Sequence, residues 1–155
     1  MNSQNAEIEF CDRIETCDLC IVGAGIAGLN ALYVASKYLS KKDKVILLDK
    51  NPTVGGMWNE TYDYVRLHQP HAMFTAGDIK WTINREPSYL ASKDEVLAHF
   101  AHCVEYLRTR VTLIERYGWL YEQHTEVPTE GGYEAHIVCR LAASDSPPCL
   151  IKAKR

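Results

Sequence analysis

No stretch of the sequence approaches the ~20 consecutive apolar residues that a membrane-spanning helix requires. The N-terminal segment from Met1 to Cys17 is polar and acidic, without the apolar core of a secretion signal. A basic block is missing too: 17 Lys and Arg stand against 20 Asp and Glu, for a formal charge of −3. Binding a phosphate backbone requires clustered positive charge, so nucleic acid has no support as a partner. There is no internal repeat and no low-complexity tract. These absences lead to the expectation of a cytoplasmic protein with neither a membrane nor a nucleic-acid partner. What remains is ordinary for a packed domain: 155 residues, 46% hydrophobic and 24% charged, enough for one core but not for two.

Six cysteines stand at positions 11, 17, 20, 103, 139 and 149. An even count suggests a disulfide frame in a small secreted protein, but without a signal segment the reduced state is expected. Cys17-x-x-Cys20 has no second such pair to complete a zinc site. It also lies at and inside an expected strand, where side chains three apart face opposite ways. The pair is therefore read as structural. His99, His102 and Cys103 share a helical stretch, with Cys103 on its apolar stripe and the histidines flanking it, and no metal is expected there.

Asp18-Leu-Cys-Ile-Val-Gly23 and Lys44-Val-Ile-Leu-Leu-Asp49 are nearly continuous apolar runs, the pattern of parallel strands covered on both faces. Between them Leu29, Leu32, Tyr33, Ser36 and Leu39 recur at helical spacing from Ala27 onward. Strand, helix and strand make a βαβ unit. Residues 50–91 carry no periodicity, and so long a loop suggests a segment that wraps a ligand. Ser92-Lys-Asp-Glu95 has capping-box spacing and opens a helix expected over 94–109, with Val96, Leu97, Phe100, Cys103, Val104 and Leu107 on its apolar face. A third parallel strand is expected at 111–114. Strands at 118–127 and 133–141 are joined by Pro128-Thr-Glu-Gly-Gly132, and one more is expected at 149–153. The expected fold class is α/β, a Rossmann-like βαβ with a parallel sheet plus a small antiparallel β-meander.

Gly23-Ala24-Gly25-Ile26-Ala27-Gly28 follows one of these strands and opens the helix, the context that gives Gly-x-Gly-x-x-Gly its meaning. Gly23 allows the tight turn, Gly25 lets backbone approach a pyrophosphate, and Gly28 lets helix pack on strand. The anion sits on N–H groups at the helix N-terminus, where the dipole favours negative charge. Asp49, about 20 residues beyond the last glycine, is placed to accept hydrogen bonds from ribose hydroxyls and would repel a 2′-phosphate. This points to NAD or FAD. Lys50 follows the acid, and then come Gly55-Gly56-Met57-Trp58, paired glycines for close backbone approach and a flat apolar wall for a large cofactor.

Through Asp49 and Gly55-Gly56-Met57-Trp58, and on through Tyr62-Asp-Tyr-Val-Arg66-Leu-His68-Gln69-Pro70, Phe74 and Asp78-Ile-Lys-Trp81, the chain resembles the flavin-containing monooxygenases and related two-dinucleotide flavoproteins. The resemblance runs from residue 17 to the end and implies FAD as cofactor. It implies an enzyme that reduces FAD with NADPH and transfers one oxygen atom from O₂ to a small-molecule substrate. Where that family places an Asn near the flavin, this sequence has His68-Gln69, the candidates for that position, with a polar loop pair as the alternative. Arg66 is read either as a phosphate contact or as a surface ion pair. Trp119 and Tyr121, at strand spacing, are read as sheet packing.

On this reading residues 1–16 are a polar N-terminal extension and 17–155 an FAD-binding domain. That domain is expected to be incomplete at its C-terminus, without the NADPH domain, so that a missing half or a partner chain would complete it. NADPH is expected only for a complete enzyme. The alternatives are a truncated, non-catalytic dinucleotide-binding module and an NAD-binding Rossmann dehydrogenase. A flavin disulfide reductase is disfavoured because residues 57–91 hold no cysteine.

Overall fold

A computed structural model describes residues 13–155. The expected 1–16 extension lies outside the described residues as far as residue 12.

Three parallel strands carry the first layer: β2 (Leu19–Val22), β3 (Lys44–Asp49) and β4 (Thr112–Tyr117), in the order β2-β3-β4. Their apolar runs exist because both faces are covered. On one face, Val45 and Leu47 of β3 and Ile21 of β2 pack under helix α1 (Ile26–Ala35) and helix α2 (Lys93–Arg108). The buried contributions are Leu29 and Leu32 from α1 and Val96, Phe100, Cys103, Val104 and Leu107 from α2. On the other face, Ile46 and Leu48 pack against a second sheet through Cys17, Ile137, Cys139, Cys149 and Ile151. Val45, Ile46, Leu47 and Leu48 have no exposed surface, and each such side chain stabilises the fold by about 1.5–3 kcal/mol.

The second sheet has the order β1-β7-β6-β5, from β1 (Arg13–Cys17), β5 (Trp119–Thr129), β6 (Gly132–Leu141) and β7 (Cys149–Ala153). β5, β6 and β7 form the antiparallel meander, and β1 joins β7 in parallel register, Arg13 opposite Cys149 and Cys17 opposite Ala153. The last residues of the expected extension therefore belong to a sheet. The long axis of β4 passes into β5 through Gly118 alone, at φ +75°. Gly118 donates its N–H to the Asn51 carbonyl at 2.8 Å and accepts from Ala142 N–H at 2.8 Å.

β1 and β2 are likewise separated by one residue, Asp18. Its N–H donates to the Lys44 carbonyl, and its carboxylate accepts from Lys44 N–H at 2.8 Å and from Lys154 Nζ at 2.6 Å. This anchored bend moves the chain from one sheet to the other, and it overturns the expectation that Cys17 and Cys20 face opposite ways. Strand alternation does not run through a bend. Both side chains pack in the layer between the sheets.

α2 starts on the capping box, with Ser92 Oγ accepting from Glu95 N–H and the Glu95 carboxylate accepting from Ser92 N–H at 2.9 Å. α1 ends earlier than its apolar spacing predicts, because Ser36, Lys37 and Tyr38 tighten into turns. Residues 50–91 contain two short 3-10 turns, Gly56–Asn59 and His71–Met73, and an isolated antiparallel bridge from Arg66 to Ser92.

Candidate functional site

The glycine turn sits where β2 ends against β3. Gly23, at φ +103°, donates its N–H to the Leu48 carbonyl at 2.7 Å. A Cβ on Gly28 would stand 1.7 Å from the Gly23 carbonyl oxygen, so no side chain fits between helix and turn. The first intrahelical bond runs from Leu29 N–H to the Gly25 carbonyl at 3.0 Å. The N–H groups of Ile26, Ala27 and Gly28 thus lie in the first turn of α1, where a helix has no acceptors of its own.

Asp49 behaves differently from a free strand-end acid. It is only 6% exposed; one oxygen accepts from Ala24 N–H at 2.6 Å and the other from Asn51 N–H at 2.7 Å. The carboxylate therefore shapes the glycine turn and the exit of β3 together, and each oxygen keeps one lone pair for a further donor. The paired glycines also have a structural role that spacing did not reveal. Gly55 N–H donates to the Ala24 carbonyl at 2.9 Å, and a Cβ on Gly56 would stand 2.8 Å from Gly25 Cα. Gly56 must therefore be a glycine for its backbone to lie on that of Gly25.

That contact divides two clefts. The first, about 430 Å³, is lined by Gly23, Asp49, Lys50, Asn51, Gly56 and Met57, with Glu60, Trp119, Leu120 and Tyr121 closing it. Lys50 Nζ pairs with Glu60 at 3.1 Å beside it. The second, about 270 Å³, is lined by Gly25, Ile26, Gly55, Met57, Trp58 and Phe74 on one side and Arg66, His68 and Gln69 on the other. Met57 lines both clefts and is 71% exposed. Trp58 is buried edge-on to Phe74, with ring centroids 6.0 Å apart. Arg66 makes a loop clamp: its guanidinium donates to the Leu90 carbonyl at 3.1 Å and to Tyr89 Oη at 3.4 Å. His68 is exposed and Gln69 half-buried.

Of the cofactor-binding candidates from Gly23 to Gln69, only Ala24, Ala27 and Gly28 do not line a cleft; all three belong to the turn and the first helical turn behind it. Sequence reading missed Asn51, Glu60 and the wall formed by Trp119, Leu120 and Tyr121. Trp119 and Tyr121 do pack against the second core, as expected, but the same strand end also faces the first cleft. The available signal was Gly118, which marks the crossing that brings β5 beside β3.

His99 is not a helix-surface residue. It is 2% exposed and stacked on Trp81 at 4.0 Å. Thr75 Oγ1 donates to the Ile79 carbonyl at 2.6 Å and so accepts from His99 Nε2 at 2.7 Å, which leaves the lone pair on Nδ1, buried and without a partner. Burial, with the nearby His102 and His71, pushes its pKa down to about 4.

A strand, a glycine turn and a helix, with an acid closing the next parallel strand, define a Rossmann-like nucleotide-binding domain. The chain belongs to the NAD(P)-binding Rossmann-like domain family, whose model matches residues 21–104. It is similar to the uncharacterized oxidoreductase CzcO of Bacillus velezensis, 31% identical over 106 residues that cover 64% of this chain and 29% of that protein. Its fold is similar to that of a flavin-containing monooxygenase from Stenotrophomonas maltophilia, with a TM-score of 0.64 at 19% identity over 88% of this chain and 36% of that one. It is also similar to that of bacillithiol disulfide reductase from Staphylococcus aureus, with a TM-score of 0.62 at 15% identity over 90% of this chain and 36% of that one. The chain thus spans about a third of the length of these proteins. Among the described residues no helix is long and apolar enough to cross a membrane.

Proposed function

We propose that this chain is the FAD-binding part of a flavin-dependent, NAD(P)H-using, monooxygenase-like oxidoreductase. The observation that carries the reading is the pair of clefts on either side of the Gly25–Gly56 contact. A dinucleotide has two ends joined by a pyrophosphate, and here two hollows are joined across the N-terminus of α1. The first cleft suits an adenosine: the remaining lone pairs of Asp49 accept from ribose hydroxyls, and Trp119 and Leu120 offer an apolar wall. The turn from Gly23 to Gly28 suits the pyrophosphate. The second cleft suits the wider flavin ring, with Trp58 as its wall and His68 and Gln69 as the polar groups at its edge. Bound there, FAD would supply the redox chemistry, while the chain holds the ring in place and shields one face of it from water.

Likeness to flavin monooxygenases supports the flavin over a simple nicotinamide site, as does the antiparallel meander where a plain dehydrogenase would continue with βα units. NADPH belongs to the complete enzyme, as does a small-molecule substrate. The test is to purify the chain under native conditions, incubate it with FAD, remove free cofactor and record the spectrum. Retained flavin absorbance at one equivalent per chain is the expected result. Colourless protein that takes up no FAD overturns the reading, and nicotinamide binding without flavin replaces it with the NAD-binding one. NADPH oxidation by the FAD-loaded chain is expected to be absent, as for a binding module that needs further segments.

A further inference from the structure

The segment from His71 to Ile83 lines a hollow of about 410 Å³ that shares no residue with the two clefts at the glycine turn. Its size falls within the range of about 300–1,000 Å³ typical of small-molecule sites. Ile79, Trp81 and Ile83 give it apolar walls. Trp81 is a fixed wall, because its ring is stacked on His99 at 4.0 Å and its indole N–H donates to the Phe74 carbonyl at 3.2 Å.

Most polar groups around this hollow are already engaged. The Thr75 hydroxyl serves the Ile79 carbonyl and His99, and Asp78 accepts from the Tyr33 hydroxyl at 2.6 Å. Lys80 is exposed. His71 is the exception. It is only 6% exposed, and its Nδ1 lies 3.1 Å from the Tyr89 carbonyl. A carbonyl only accepts, so Nδ1 carries the hydrogen, and in the neutral ring Nε2 keeps a lone pair. No group among the described residues donates to Nε2. Nor is Nε2 one of the unpartnered atoms sealed from solvent, which are His99 Nδ1 and Tyr117 Oη. His71 lines the hollow, so Nε2 opens there.

We propose that this hollow is a binding site for a planar aromatic molecule with a single O–H or N–H donor, which His71 Nε2 accepts while the ring lies along Trp81. The match is one of chemistry. A donor aimed at Nε2 gives the buried acceptor the bond it lacks. A flat, apolar remainder suits Trp81, Ile79 and Ile83, whereas a sugar brings several hydroxyls to walls that cannot pair them. An anion meets a lone pair rather than a hydrogen at Nε2. Asp78 and Lys80 contribute one charge of each sign, so the hollow favours neither kind of ion. The site does not depend on the FAD reading, since its walls are separate.

The test is to titrate the natively folded chain with β-naphthol and with its methyl ether, which has the same rings but no donor, using isothermal calorimetry. One equivalent of β-naphthol is expected to bind, about tenfold more tightly than the ether, the size of one hydrogen bond to a buried acceptor. His71→Phe is expected to abolish that preference, and prior loading with FAD to leave it unchanged. A second measurement needs no variant: in proton–nitrogen spectra of the histidine rings, β-naphthol is expected to shift Nε2 of the ring that shows Overhauser contacts to Trp81. The proposal is overturned if neither compound binds, if both bind equally well, if the preference survives in folded His71→Phe, or if the shifted nitrogen belongs to another histidine.

Discussion

Two residues have consequences that can be measured singly. Gly28 has no room for even a methyl group, since its Cβ would lie 1.7 Å from a backbone oxygen. Gly28→Ala must move helix from strand, and is expected to cost about 3 kcal/mol or more, read as a fall in the urea midpoint together with loss of FAD uptake. His99 is the second. Its folded pKa is about 4, whereas an unfolded imidazole titrates near 6.5, so the unfolded chain binds the proton first as pH falls. Stability is complete above about pH 6.5, declines through the interval down to about 4 and levels off below it, for a total on the order of 3 kcal/mol. Urea melts at neutral pH and at about pH 5 check this, and His99→Gln, which keeps a donor for Thr75, is expected to flatten the dependence. Its burial was not legible in the sequence. A histidine beside an apolar stripe looks like an edge residue until Trp81, from a loop without periodicity, closes over it.

The elements that were legible are those whose signal is local. β3 is expected and found at residues 44–49, because a strand covered on both faces must be continuously apolar. α2 begins at its capping box within a residue of expectation. Ser92→Ala is expected to lower stability by about 1 kcal/mol, and Leu47→Ala, which empties the core beneath both helices, by about 2–5 kcal/mol; paired thermal and urea melts separate the two sizes of effect. β1 was not legible. Arg-Ile-Glu-Thr-Cys alternates without an apolar run, and its partner β7 lies at the far end of the chain. Its place is held instead by Glu15, whose carboxylate takes Arg116 of β4 through two bonds, at 3.1 and 2.7 Å. The glycine turn was read correctly from its strand and helix, but the contact of Gly25 with Gly56 was not. Only the path of the intervening residues determines which backbone the missing Cβ makes room for.

For the molecule as a whole, the two sheets share one layer of side chains and are joined through Asp18 and Gly118, a single residue each. A single inserted glycine beside Gly118 is expected to destroy the cooperative unfolding transition, followed by far-UV circular dichroism, whereas the same insertion at the β5–β6 turn near Gly131 should be tolerated. The reason is counting. Along a strand, inside and outside follow odd and even positions, and although the alternation is reset at each bend, a joint one residue long fixes the face on which the next sheet's count begins. Such a chain has a parity as well as a length. Substitutions can accumulate at either joint so long as the backbone still turns, but additions and deletions there are acceptable only if they restore the count, so the spacing at residues 18 and 118 is expected to be more rigid than the residues that fill it.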